Sequence, residues 1–187
     1  LSIRRQRQMC IRDRYENVRV TIPRTVVVAT DYFDAFIRNN GLEYVLTTEM
    51  TDEEILSEFV SSTLPYKLRE ALKAYVRTVS GPLAVRSSSK LEDSHYQPFA
   101  GIYSTYMIPY TEGNEDRQLR LLQKAIKSVY ASTYFAASKA YVQSSQNLIA
   151  EEKMAVVIQE VCGTEQDGLF FPTLSGVARS INYYPIG

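Results

Sequence analysis

The sequence predicts an α+β domain, on three observations. Hydrophobic residues are 45% and charged residues 22% of the 187 positions, a globular balance that excludes wholesale disorder. Segments of helical period are interspersed with short β-branched apolar runs. These do not follow a strict βαβ alternation, so a doubly wound parallel sheet is disfavoured. The longest apolar runs, Val26 to Ala29 and Met154 to Ile158, fall far short of the roughly 20 residues a membrane helix needs.

Val18-Arg19-Val20-Thr21-Ile22 alternates apolar and polar, as a half-buried strand does, until Pro23 interrupts it. Thr25-Val26-Val27-Val28-Ala29 is β-branched on both faces and predicts a buried strand. Thr30 or Asp31 can cap a short helix carrying Phe33, Phe36 and Ile37, which Asn40-Gly41 stops. Thr51 and Glu54 fit a capping box before Ile55, Phe59 and Val60. Pro65 opens a third helix, with Leu68, Leu72, Tyr75, Val76 and Val79 on one side and Gly81 at its end.

Pro82 to Arg86 reads as a short strand, and Ser87 to Ser94 as polar loop. Phe99-Ala100-Gly101 leads into a strand over 103–108. Residues 115 to about 143 predict one long helix, with Leu119, Leu122, Ile126, Val129 and Tyr130 as its buried stripe. Met154 to Ile158 predicts a central strand covered on both faces, and 175–181 a last strand.

Charge is uneven along the chain although the total is +0. Residues 1–14 hold five arginines and one aspartate, and the remainder 16 basic against 20 acidic side chains. No global basic field argues for nucleic acid. The first fourteen residues lack apolar periodicity and resemble translated sequencing-adapter DNA, so they are expected to be non-native and to make few tertiary contacts. Residues 15–187 are expected to be a partial domain of a longer protein. The two cysteines, Cys10 and Cys162, cannot form a disulfide framework, which points to the cytoplasm. One histidine, His95, argues against a His-rich metal site. No metal ligand is assigned in this chain.

Three places could carry chemistry. Arg86 ends an apolar strand and precedes three serines, so its planar fork could grip a phosphate with little entropy loss. The alternative is a surface ion pair with Glu92 or Asp93. Gly101 and Thr105 could let backbone and hydroxyl approach a phosphate, although a glycine before a strand is commonly only a turn. Gln159-Glu160-Val161 closes an apolar strand with polar groups that could meet an adenine edge, or could simply emerge into solvent. Neither a Walker A nor a G-x-G-x-x-G pattern occurs.

In register, Leu83-Ala84-Val85-Arg86-Ser87-Ser88-Ser89, Glu92-Asp93, Phe99-Ala100-Gly101 with Thr105, Val156-Val157-Ile158-Gln159 and Ser175-Gly176-Val177-Ala178 resemble one family. It is the nucleotide-binding domain of phosphoenolpyruvate synthase and pyruvate phosphate dikinase. The resemblance covers about residues 18–184. It implies an ATP-grasp-like fold, incomplete here at both ends, with ATP between two α+β subdomains. It makes Arg86 a catalytic and phosphate-contacting residue. Gly101 and Thr105 become parts of a phosphate-covering loop, Gln159 a nucleotide contact, and the backbone of Glu160 and Val161 an adenine hinge.

The resemblance further implies ATP and Mg2+ as cofactors, the magnesium ligands lying outside this stretch. Phosphate would pass from ATP to a histidine in another domain and on to pyruvate, so this stretch alone should not catalyse. Partners are the phosphohistidine and pyruvate domains of the same chain, with no nucleic acid and no membrane. An antibiotic phosphotransferase or a glucan dikinase shares the module, and a nucleotide-sensing domain is the non-catalytic alternative. Ser89, Ile102 and the long stretch 163–173 depart from the family pattern.

Overall fold

The computed structural model describes residues 22–89, 103–144 and 153–176. The expected strand at 18–21, residues 1–14, Glu92, Asp93, His95, Gly101 and residues 177–181 lie outside the described residues.

Strand β1 (Thr25–Val28) leads into helix α1 (Thr30–Asn40). Thr30 is the first helical residue, not a cap; extended Ala29 takes the N-cap position without a side-chain bond. Gly41 ends α1 at φ 62°, a left-handed turn that costs glycine no Cβ clash. A 3-10 turn (Leu42–Leu46) seats Val45 in the core. Helix α2 (Asp52–Ser61) starts on the expected capping box: Thr51 N–H donates to Glu54 Oε2 at 2.8 Å, and Glu54 N–H donates to Thr51 Oγ1 at 3.3 Å. Helix α3 (Tyr66–Val76) follows N-cap Pro65 and ends at Val76, before the expected stop at Gly81.

The polar run after Arg86 is not all loop. Strand β2 spans Leu83–Ser89, because the backbone of Ser87 to Ser89 continues pairing with its neighbour and Ser89 turns its small side chain inward. Strand β3 (Tyr106–Ile108) precedes α4 (Glu115–Ser132), whose N-cap Asn114 accepts from the Arg117 N–H at 3.0 Å. The expected single helix over 115–143 is broken. The chain tightens through Thr133 and Tyr134 into i−3 bonds, and α5 (Ala136–Ser144) begins anew. One local and one long-range bond fix the break: Ser138 Oγ donates to the Ser132 carbonyl at 2.7 Å, and Ala136 N–H donates to Asp52 Oδ1 at 2.8 Å.

Strand β4 (Met154–Glu160) completes a four-stranded antiparallel sheet of order β1-β4-β2-β3. β4 is interior to the sheet, as its apolar run predicts. Among the described residues β1 is an edge strand and not buried: Val27 is 59% exposed, since β-branching promotes extended backbone whether or not a neighbour covers it. The stretch 163–173 is a hairpin, β5 (Thr164–Gln166) and β6 (Leu169–Phe171), turning at Asp167 (φ 52°) and Gly168 (φ 77°). Two positive φ values at the tip match the twist of the ribbon. Ser175 and Gly176 are not in a strand.

Helix α4 lies on β2, β3 and β4, α1 lies on β4, and α2 and α3 pack on α4. The core between them is aromatic: Phe36 and Phe59 sit 5.7 Å apart, and Phe33 meets Tyr130 edge-on at 5.1 Å. The stripe expected on the long helix is inside, with Leu122, Ile126, Val129 and Tyr130 fully buried and Leu119 partly so. Among the described residues, no helix is long and apolar enough to cross a membrane.

Candidate functional site

Strand alternation gives the sheet two unlike faces. Leu83 and Val85 of β2 and Met154, Val156 and Ile158 of β4 face the helices, each fully buried. The intervening residues face away. Antiparallel register aligns these into rows across the strands. One row runs Thr25, Gln159, Ala84, Met107. The next runs Val27, Val157, Arg86. Met107 is 62% exposed, and Ala155, Val157 and Gln159 are only partly covered by the described residues. The expectation that 154–158 is covered on both faces therefore fails among the described residues, which leave this face open.

Arg86 stands on the open face opposite Val157, with Ala84 and Ser88 before and after it on its own strand. It is the one charged side chain in these rows. The ion pairs among the described residues are Arg24–Glu160, Arg77–Glu115 and Lys153–Asp34, so none of them holds Arg86. Gln159 occupies the diagonal position on β4, where such neighbours lie about 7–8 Å apart. Its amide donates to Thr25 Oγ1 at 3.1 Å, which orients the side chain along the face. Thr105 is exposed and directly precedes β3; one step beyond the pair Val85–Tyr106, it and Arg86 are the next residues of the two strands. The fold thus gathers Arg86, Thr105 and Gln159 on one open surface, although 73 positions separate the first from the last.

Glu160 and Val161 behave differently. Opposite Leu83, the Glu160 side chain points to the helix side of the sheet, where Oε1 lies 3.6 Å from Arg24 Nε and has no hydrogen-bond partner among the described residues. The neighbouring Tyr75 hydroxyl is pushed up by burial, with the Glu160 carboxylate adding to the shift. The Glu160 N–H donates to the Arg24 carbonyl at 2.9 Å and the Val161 N–H to the Pro82 carbonyl at 2.9 Å. Both amides of the expected hinge are therefore engaged within the fold. Sequence reasoning also missed Thr25 and Met107 as members of the open face. Alternation of β1 against Gln159 could have found the first.

Among the described residues, no group of three or more His, Cys, Asp or Glu could hold a metal ion. Cys162 is an exposed free thiol. Among the described residues this is a single guanidinium on an open, otherwise uncharged sheet face with hydroxyl and amide groups beside it, an arrangement that suits an anionic ligand bearing a flat apolar part.

Comparison with known proteins gives that surface its family. Residues 7–185 match the family described as pyruvate phosphate dikinase, AMP/ATP-binding domain, and the chain belongs to it. The match begins inside the segment 1–14. The chain is 31% identical over 157 residues to an uncharacterised phosphotransferase, YvkC, of Bacillus subtilis (strain 168), covering 80% of this chain and 17% of that protein. It is 29% identical over 174 residues to a phosphoenolpyruvate synthase of Aeropyrum pernix, covering 81% of this chain and 20% of that protein. The chain spans at most a fifth of the length of these relatives.

Proposed function

We propose that this chain is the ATP-binding part of a cytoplasmic phosphotransferase of the phosphoenolpyruvate synthase and pyruvate phosphate dikinase type. The observation that carries the reading is Arg86, unpaired among the described residues on an open sheet face, in a chain of an AMP/ATP-binding family. ATP lies along that face, in an ATP-grasp arrangement that a second subdomain completes. Arg86 takes the phosphates bidentately, Thr105 and the loop of Gly101 cover them, and Gln159 meets the nucleotide. Phosphoryl transfer is governed by positioning and by stabilising charge on the phosphate, and a fixed guanidinium serves both. Mg2+, with ligands outside these residues, would neutralise the phosphate charge.

The accepting group is a histidine of another domain, from which phosphate passes to pyruvate. The full-length protein, given ATP labelled in its phosphates, should acquire an alkali-stable, acid-labile label on a histidine. Added pyruvate should then carry that label away as phosphoenolpyruvate. ATP binding without any transfer would make the domain a sensor. Transfer to an antibiotic or a glucan would keep the ATP site and replace the acceptor.

A further inference from the structure

In its row of the open face, Gln159 lies between Thr25 on β1 and Ala84 on β2. Ala84 has no polar side chain, so the bond across the strands goes to Thr25. Gln159 Nε2 donates to Thr25 Oγ1 at 3.1 Å, and Thr25 Oγ1 in turn donates to the Pro23 carbonyl at 3.0 Å. A hydroxyl has one proton and two lone pairs. With its proton committed to Pro23, Oγ1 can only accept from Gln159. The glutamine nitrogen must therefore face β1, because turning the amide over would set two acceptors against each other. Both bonds are partly buried, where such a mismatch costs more than in water. The other end of the amide, Oε1, has no hydrogen-bond partner among the described residues.

We propose that Thr25 is a positioning residue: it locks the Gln159 amide so that the end left free for the ligand is an acceptor, Oε1. The inference rests on the reading of the open face as a nucleotide site. It also decides what Oε1 can meet there. Phosphate oxygens are acceptors at neutral pH, so Oε1 does not serve them, and the ligand must bring a donor. Gln159 is the diagonal neighbour of Arg86, a spacing of about 7–8 Å in such pairs. The sugar of a nucleotide adjoins its phosphates, so with Arg86 on the phosphates the ribose hydroxyls are the donors at that spacing. A glutamine without this lock could turn either end to the ligand and would not discriminate.

Calorimetry on the full-length protein compares ATP, 2′,3′-dideoxy-ATP and inorganic tripolyphosphate. The unmodified protein should prefer ATP over its dideoxy analogue about fivefold, the scale of one hydrogen bond. Thr25→Val removes the hydroxyl and keeps the β-branched shape that suits a strand. It should weaken ATP about fivefold, abolish the preference and leave tripolyphosphate unchanged. Thr25→Ser should restore both; Thr25→Ala repeats the loss should the valine variant fail to fold. Once Gln159→Leu is in place, Thr25→Val should have no further effect, a coupling that a purely structural role would not produce. Unchanged ATP binding by Thr25→Val, while Gln159→Leu weakens it, overturns the positioning role and leaves the nucleotide site standing, as do additive losses in the double variant. Equal affinity of the unmodified protein for ATP and the dideoxy analogue overturns the ribose contact. Absence of ATP binding overturns the nucleotide reading itself.

Discussion

Replacing Arg86 separates folding from function. Its side chain is exposed on the sheet, and no ion pair among the described residues includes it. Arg86→Ala should therefore change fold stability by about 0.5 kcal/mol or less, as surface substitutions away from specific contacts do. On the proposed reading the same change removes a charge-assisted hydrogen-bonding group from the phosphates, which should cost about 1.5–3 kcal/mol, or roughly 10- to 150-fold in affinity. Arg86→Lys keeps the positive charge but loses the planar fork, so it should bind ATP more weakly than arginine and more tightly than alanine. The assay pairs the ATP dissociation constant with the rate of histidine phosphorylation in the full-length protein, and follows thermal unfolding by circular dichroism. A larger fall in rate than in affinity would place the contact in the transition state. Wild-type phosphorylation by Arg86→Ala would refute the role. A stability loss as large as the loss of binding would mark Arg86 as structural.

Three further outcomes follow from the fold. Tyr130 is fully buried, burial pushes its phenol up, and its hydroxyl has no hydrogen-bond partner among the described residues. Tyr130→Phe should therefore strengthen hydrogen-exchange protection of α4 amides by about 1 kcal/mol, and weakened protection would reveal a partner for the hydroxyl. Glu54 is held below the ordinary carboxylate range, first by the Thr51 backbone N–H and then by its hydroxyl. A carboxylate so lowered stabilises the fold above its unfolded pKa and loses that contribution as pH falls through the folded one. Acid should accordingly fray the start of α2, seen in the Thr51 amide resonance, whereas Glu54→Gln should show no such titration. Gly163→Ala should loosen the β5–β6 hairpin, because the added carbon meets backbone of Phe171 that cannot swing aside. Hairpin amides would then exchange faster while those of β4 hold; equal protection in both proteins would contradict the close approach.

Local rules made much of the chain legible. The Thr51–Glu54 box, Gly41 as a left-handed stop and the buried stripe of α4 each depend on neighbours within one or two turns, so short patterns suffice to place them. The Asp167-Gly168 tip of the hairpin carries the same kind of signal, between Thr164–Gln166 and Leu169–Phe171, within the stretch 163–173 noted only as a departure from the family pattern. Arg86 and Gln159 drew notice as polar groups on apolar strands, and the register places them diagonally on one face.

By itself the sequence determined the α+β class and the family, and drew notice to Arg86, Thr105 and Gln159, because propensity, alternation and short motifs are written in contiguous residues. Only the tertiary structure decided which of these meet. β1 became an edge strand because β4 pairs with it and no described strand lies beyond. The long helix broke at Ser132 because Asp52, 84 positions upstream of Ala136, supplies an acceptor for a new N-terminus. The amides of Glu160 and Val161 were taken by Arg24 and Pro82, which pairing alone could reveal. Strand order and register are long-range choices, made by burying one face of the sheet against α1 and α4. That burial leaves the opposite face, with Arg86 in it, uncovered by the described residues.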